Sequence, residues 1–132
     1  MFVLDTDVCI LALRHDPVIT ARLASHSPVD MSVTTMTEAE LRYGALRSRD
    51  PVSSSTSMGA FLAPLARLSF DSAAAELHAQ LRYDLRRRPI GERDLVIAST
   101  ALAHGAELVT RNAREFRRVE GLTLHDWATP PR

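Results

Sequence analysis

Phe-Val-Leu-Asp-Thr-Asp-Val-Cys-Ile-Leu, residues 2–11, is the stretch on which the fold turns. Three apolar residues end on a carboxylate, which reads as a short buried strand, Phe2 to Leu4, with Asp5 at its carboxyl end. Asp7 is a cap candidate for a helix over Val8 to Arg14, where Val8, Leu11 and Ala12 stand at helical spacing. The same alternation continues along the chain. Pro17 suits the first turn of a helix reaching about His26, Val29 to Thr34 reads as a second strand, and Thr35 to Arg49 as a helix. Two capping boxes offer starts for that helix, Thr35 with Glu38 and Thr37 with Glu40. Pro51 to Thr56 is serine-rich and reads as a loop, Gly59 to Ala66 as a helix and Leu68 to Phe70 as a third strand. Asp71 and Ser72 are cap candidates for a long helix over Ala73 to Arg88, with Leu77, Leu81 and Leu85 on one stripe. Asp94 to His104 is apolar on nearly all sides, the pattern of a buried helix, and Gly105 suits its C-terminal cap. Leu108 to Thr110 reads as a strand, Asn112 to Phe116 as a helical turn and Leu122 to His125 as a last strand.

Strands alternating with helices predict one α/β domain over residues 1–132, a sandwich built on a mostly parallel sheet. Open parallel sheets bind ligands beyond the carboxyl ends of their strands, where Asp5 and Thr110 both fall. The 132 residues and a 45% hydrophobic fraction suffice for a core without staples. The lone cysteine, Cys9, excludes an internal disulfide and a cysteine metal site and points to a reducing compartment. Asp5 and Asp7 come too early for a signal peptide. No apolar run reaches the roughly 18 residues of a membrane span. The expectation is a soluble, cytoplasmic protein. All 16 basic residues are arginine, so no mechanism can use a lysine. The formal net charge of +0 argues against a general nucleic-acid coat, but not against a local basic surface beside an acidic pocket. Arg86, Arg87 and Arg88 form one such cluster, with a solvated helix end as the plainer explanation. Arg111, Arg114, Arg117 and Arg118 form another.

Three acids stand beside apolar segments: Asp5, Glu40 and Asp94. Each has a plain explanation. Asp5 could cap the first helix, Glu40 could close a capping box with Thr37, and Asp94 could favour the positive end of its helix. Carboxylates at the edge of a core are costly unless paired or coordinated. Two such charges about 4 Å apart repel by roughly 4 kcal/mol at an effective dielectric of 20. A hard, oxygen-preferring cation such as Mg²⁺ or Mn²⁺ reverses that sign. The five histidines show no paired spacing for zinc.

Four segments then occur in order: residues 2–11 above, Thr-Glu-Ala-Glu-Leu-Arg-Tyr-Gly-Ala at 37–45, Ile-Gly-Glu-Arg-Asp-Leu-Val-Ile-Ala at 90–98, and Leu-Val-Thr-Arg-Asn-Ala-Arg-Glu-Phe at 108–116. Together with the ending Val-Glu-Gly-Leu-Thr-Leu-His-Asp-Trp at 119–127, they resemble the PIN-domain ribonucleases, in particular the VapC toxins of bacterial toxin–antitoxin pairs. The resemblance covers nearly the whole chain. It implies a three-layer α/β/α sandwich and a metal-dependent endoribonuclease that leaves a 5′-phosphate and a 3′-hydroxyl. Asp5 and Asp94 would be the principal metal ligands, with Glu40, rather than Glu38, binding directly or through water. Thr6 would hold the first turn, and Thr110 and Asn112 would line the site. The implied cofactor is Mg²⁺, with Mn²⁺ as substitute. The implied partners are structured RNA (transfer RNA favoured), a VapB-type antitoxin seated in a groove between helices, and a second copy of the chain. Leu11, Leu13 and Leu46 are candidates for lining that groove.

Two departures stand out. Asp7 occupies a place where the family commonly has asparagine, and Asn112 occupies a fourth place that is acidic in many members. Asp7 and Glu115 are the candidates to supply the missing charge. One rival reading is a haloacid-dehalogenase-like phosphatase, whose Asp-x-Asp motif Asp5 and Asp7 imitate. Against it stand Cys9 two places after Asp7 and the missing lysine. A second rival is a non-catalytic PIN-fold binding module.

Overall fold

The computed structural model describes residues 1–130. Five strands are present among them: β1 (Phe2–Leu4), β2 (Met31–Thr34), β3 (Ala66–Leu68), β4 (Glu107–Val109) and β5 (Leu124–His125). Seven α-helices accompany them: α1 (Thr6–Leu13), α2 (Pro17–Ala24), α3 (Thr35–Leu46), α4 (Pro51–Leu62), α5 (Ser72–Asp84), α6 (Glu92–Ala103) and α7 (Ala113–Phe116). The sheet order is β3-β2-β1-β4-β5 and every pairing is parallel. The chain therefore starts in the centre, winds outward through β2 and β3, then crosses to β4 and β5. The change of direction falls between β1 and β4, the place where such sheets bind ligands.

Alternation along three-residue strands sorts the core into two layers. Leu4, Val33 and Val109 pack with Val8 and Cys9 of α1, Ile19 of α2, Leu41 of α3 and Met58 of α4. Val3 and Leu108 face the other way, onto Leu81 of α5, Leu95, Ile97 and Ala98 of α6 and Phe116 of α7. Helices thus cover both faces of the sheet, giving the three-layer α/β/α sandwich that the resemblance implied. None of the described helices is long and apolar enough to cross a membrane.

Several local expectations change. The first helix is capped by Asp5, which accepts from the Thr6 amide, and Asp7 is an exposed first-turn residue instead. Neither capping box forms at α3, because β2 runs directly into the helix. Thr34, the last strand residue, becomes the cap and accepts from the Thr37 amide at 3.1 Å. The expected loop Pro51 to Thr56 is the first half of α4, with Asp50 accepting from the Ser53 amide at 3.1 Å and Pro51 at the first helical position. Buried Met58 and Leu62 hold that helix to the core. Asp50→Ala is expected to cost about 1 kcal/mol, the usual worth of such a cap, measurable by urea denaturation. The C-terminal stop of α6 is as expected: Gly105 has a φ of 65°, a left-handed conformation that glycine enters without penalty.

Candidate active site

Asp5 leaves the end of β1 and is 4% exposed. Its two carboxylate oxygens have different holders. Oδ1 accepts from the Thr6 amide at 2.8 Å, and Oδ2 accepts from the Thr110 hydroxyl at 2.8 Å. Thr110 follows β4, the strand beside β1, and its oxygen accepts in turn from the Asn112 amide at 2.9 Å. The two strands that flank the change of direction therefore fix one carboxylate between them.

Glu40 reaches the same region from α3. The Thr6 hydroxyl donates to Glu40 Oε1 at 2.9 Å and lies 3.0 Å from the hydroxyl of Thr37, which is fully buried. Glu40 Oε2 pairs with Arg93 at 3.5 Å. Arg93 and Asp94 are consecutive residues in the first turn of α6, so one turn presents a cation to Glu40 and a half-buried carboxylate beside it. Glu38 points elsewhere and pairs with Arg42 at 2.7 Å and Arg67 at 3.7 Å.

Electrostatics ties these acids together. Burial, reinforced by the charges of Asp94 and Asp7, pushes the Asp5 carboxyl up to about 6, although the bonds from Thr110 and Thr6 oppose the rise. Asp94 is also raised, first by burial and then by Glu40, Asp7 and Glu115. The charges of Glu40, Asp7 and Glu115 thus act on Asp94, and that of Asp94 acts on Asp5. Asp7 and Glu115 both act on it, and Glu115 is shared with Arg118 at 3.0 Å. Asn112 sits at the N-terminus of α7 with no cap bond from its side chain. Cys9 lies behind Asp5, but burial raises its thiol far above the ordinary range and leaves it inert.

The sequence-predicted residues Asp5, Thr6, Asp7, Glu40, Asp94, Thr110 and Asn112 are thus all drawn to one region. Thr37 and Arg93 join the network without having been anticipated as members. Thr37 carried a signal only as a helix cap, and the Arg93–Glu40 pair spans 53 positions, beyond any local pattern. The donor set is carboxylate, hydroxyl and amide oxygen, which suits a hard divalent cation. Among the described residues, no three His, Cys, Asp or Glu side chains are gathered closely enough to enclose an ion as they stand. Mutual repulsion favours that separation, and Thr6 and Arg93 hold Glu40 in place.

A groove adjoins Glu40 on its other side, between α1, α3 and α4. Ile10, Leu13, Leu41 and Met58 supply its apolar surface, with Arg14 and Arg47 beside them. Of the three leucines expected there, only Leu13 lines it. Leu11 packs on the core, and Leu46 is 69% exposed.

The sequence model of the PIN domain matches residues 2–122. This chain belongs to the PIN-domain family. As a PIN domain it is similar to the tRNA(fMet)-specific endonuclease VapC of Shigella flexneri, 36% identical over 96% of this chain and 98% of that one. It is also similar to ribonuclease VapC2 of Rickettsia felis, 31% identical over 96% and 98% of the two chains. Among solved structures, the DNA-bound VapBC of Salmonella typhimurium superposes with a TM-score of 0.88 at 35% identity, over 96% of this chain and 97% of that chain. The fold class and the VapC resemblance read from the four sequence segments therefore hold.

Proposed function

We propose that this PIN domain is the toxin of a toxin–antitoxin pair, a metal-dependent endoribonuclease that cleaves structured RNA, with transfer RNA the favoured substrate. The observation that carries this reading is the buried Asp5, held between two parallel strands by Thr6 and Thr110 and raised in pKa by burial and by the charge of Asp94. Burying a carboxylate that raises its own pKa to about 6 is costly, and such a cost is characteristic of sites built for function. The naming of the Shigella flexneri relative as a tRNA endonuclease supports the substrate class.

Asp5 and Asp94 are the principal ligands for Mg²⁺ or Mn²⁺ in this proposal, with Glu40 as the third. When bound, the cation lowers the pKa of a water and offsets charge on the scissile phosphate. Around it, the chain's own groups act by positioning. The Thr6 amide and the Thr110 hydroxyl each take one lone pair of Asp5, which fixes the direction of those that remain. The Thr6 hydroxyl, steadied by Thr37, holds Glu40, and Arg93 balances its charge while RNA is absent. Asp7 and Glu115 add negative potential at Asp94, which compensates in part for the uncharged Asn112. A VapB-type antitoxin segment would occupy the groove lined by Leu13 and Met58, next to Glu40, and the active form is a homodimer.

The test is RNA cleavage mapped with Mg²⁺ and with chelator. Asp94→Asn is expected to lower the rate more than about 100-fold, since loss of groups that merely support a metal ligand costs 10- to 100-fold. Chelator is expected to abolish cleavage by the unmodified protein. Turnover of a simple phosphate ester without RNA cleavage would instead favour the phosphatase reading.

A further inference from the structure

Helix α5 carries His78 and Arg82 four residues apart, which places them on one stripe of its surface with about 6 Å of rise between them, and Arg86 stands in the turn just beyond the Leu85 cap. Three adjoining depressions meet around Arg82. The first is lined by His78, Arg93 and Met36, the second by Arg86, Leu85 and Pro89, and the third by His78, Tyr83 and Arg86. Arg93, at one end, is the residue that reaches Glu40 in the acidic site. The depressions therefore form a path that begins at the acidic site and continues along α5.

Two of the arginines on this path, Arg82 and Arg86, have no acid partner among the described residues, and the third, Arg93, is held only by Glu40. Among the described residues, neither Arg82 nor Arg86 has a carboxylate within 4.0 Å, a state they share with most of the arginines, so it is their position beside the acidic site that sets them apart. Glu92 is the one acid on the lining, and it pairs with neither arginine. Arg86 donates to the Tyr83 carbonyl at 2.9 Å, and its guanidinium carbon lies 3.9 Å from the centroid of the Tyr83 ring, which is 60% exposed. Guanidinium groups without an acid partner, next to an exposed aromatic ring, are a combination that binds single-stranded nucleic acid through phosphate contacts and base stacking. Uncommitted arginines and exposed tyrosine also occur at protein interfaces. Here the spacing of the cations and the continuity with the acidic pocket favour a polyanion.

We propose that His78 and Arg82 on α5 and Arg86 in the turn after it, together with Arg93, form the track that carries the RNA backbone away from the scissile phosphate. This rests on the ribonuclease reading above and adds to it the side of the pocket along which the strand runs. Arg82 and Arg86 grip successive phosphates, and Tyr83 with its guanidinium cover receives an unpaired base. Arg93 exchanges Glu40 for a phosphate when RNA enters. Contacts of this kind position the strand without selecting its sequence.

The test uses a fluorescein-labelled hairpin RNA and the full chain carrying Asp94→Asn, so that binding is read without cleavage. Anisotropy titrations over a range of salt give the slope of log K against log salt. Adding Arg82→Ala and Arg86→Ala is expected to make that slope shallower by about 1.4, at 0.7 per phosphate contact on a single strand, and to weaken binding equally for hairpins of different loop sequence. Adding Arg14→Ala and Arg47→Ala, in the groove on the other side of Glu40, is expected to leave the slope unchanged. An unchanged slope in the α5 variant overturns the track while leaving the ribonuclease reading in place. A shallower slope only in the groove variant moves the strand to the other side. Absence of RNA binding by the Asp94→Asn protein itself overturns the track, and cleavage by the unmodified protein then decides the ribonuclease reading separately. Sedimentation of the α5 variant supplies the last discriminator: dissociation into single chains with RNA affinity retained would make the stripe an interface between copies.

Discussion

Asp5→Asn is expected to make the metal-free protein more stable at neutral pH while abolishing RNA cleavage. The carboxyl rises from 3.8 to about 6 on folding, which corresponds to about 3 kcal/mol of opposition to the buried charge. Asparagine keeps the shape. Its carbonyl can still accept from the Thr6 amide, and its amide group can donate to the Thr110 oxygen, at the price of turning that hydroxyl away. Part of the 3 kcal/mol is lost in that rearrangement, so a net gain of about 1–3 kcal/mol is expected, roughly 3–10 °C in Tm for a domain of this size. The sign with pH follows from the raised value. Between about 4 and 6 the folded state holds a proton that the unfolded state has released, so stability of the unmodified protein falls as pH rises through that window. The advantage of the variant should therefore be small at pH 4 and full at pH 7.

Divalent cation should invert this order. A ligand bound only by the folded state stabilises it by mass action, and the unmodified protein has the charge to bind one. Thermal denaturation at pH 7 with chelator, and again with excess Mg²⁺, reads both effects. Equal melting temperatures in chelator would show that Asp5 is not an electrostatic burden. A variant that gains from Mg²⁺ as much as the unmodified protein would remove Asp5 from the ligand set. A simple capping aspartate predicts the opposite result in chelator: asparagine caps as well as aspartate, but losing the negative charge at the helix N-terminus lowers stability by about 0.3–1 kcal/mol.

How much of this was visible in the sequence depended on whether the deciding interaction was local. Phe2 to Leu4 announced a strand through apolar residues ending on Asp5, and the structure puts β1 on those residues. Gly105 marked the end of α6 because a left-handed residue there has a steric cause that one position can satisfy. Serine-rich composition misled at Pro51 to Thr56. Asp50 and Pro51 are good start signals, but hydroxyl residues favour turns unless burial overrides them, and here Met58 and Leu62 do so from further along the helix. At α3 the error was one of register: both capping boxes required a start after Thr34, and β2 runs to Thr34 itself. The acids were legible as acids beside apolar runs, and the family words selected among them. The Thr110 bond to Asp5 joins residues 105 positions apart and the Arg93 bond to Glu40 joins residues 53 apart. Those depend on which strands become neighbours, so no local rule contains them.

The same dependence on distant packing makes Phe116→Ala the most damaging single truncation expected near the site. Phe116 is the largest fully buried side chain among the described residues, and removing a buried phenylalanine costs about 3–5 kcal/mol. The helix it belongs to, α7, has four residues and lacks a side-chain cap, so it cannot persist by its own propensity. Phe116 instead anchors it to the layer containing Leu108 and Ile97. The damage should reach the site along the chain. The Asn112 amide donates to Thr110 Oγ1, and the same oxygen carries the proton given to Asp5. By contrast, the Thr110 amide is held by the His125 carbonyl at 2.9 Å, within the β4–β5 ladder. Hydrogen exchange can therefore separate two outcomes. If Phe116 anchors α7, the Asn112 amide loses protection in the variant while the Thr110 amide keeps the level of the weakened whole, and the urea midpoint drops by the equivalent of 3 kcal/mol or more. If the midpoint barely moves, the α7 segment is held by its backbone alone and Phe116 fills space that the neighbouring Leu108 and Ile97 can close. Loss of protection at both amides together would instead make α7 and β4 one cooperative unit, and the grip on Asp5 would then be lost only when the sheet itself opens.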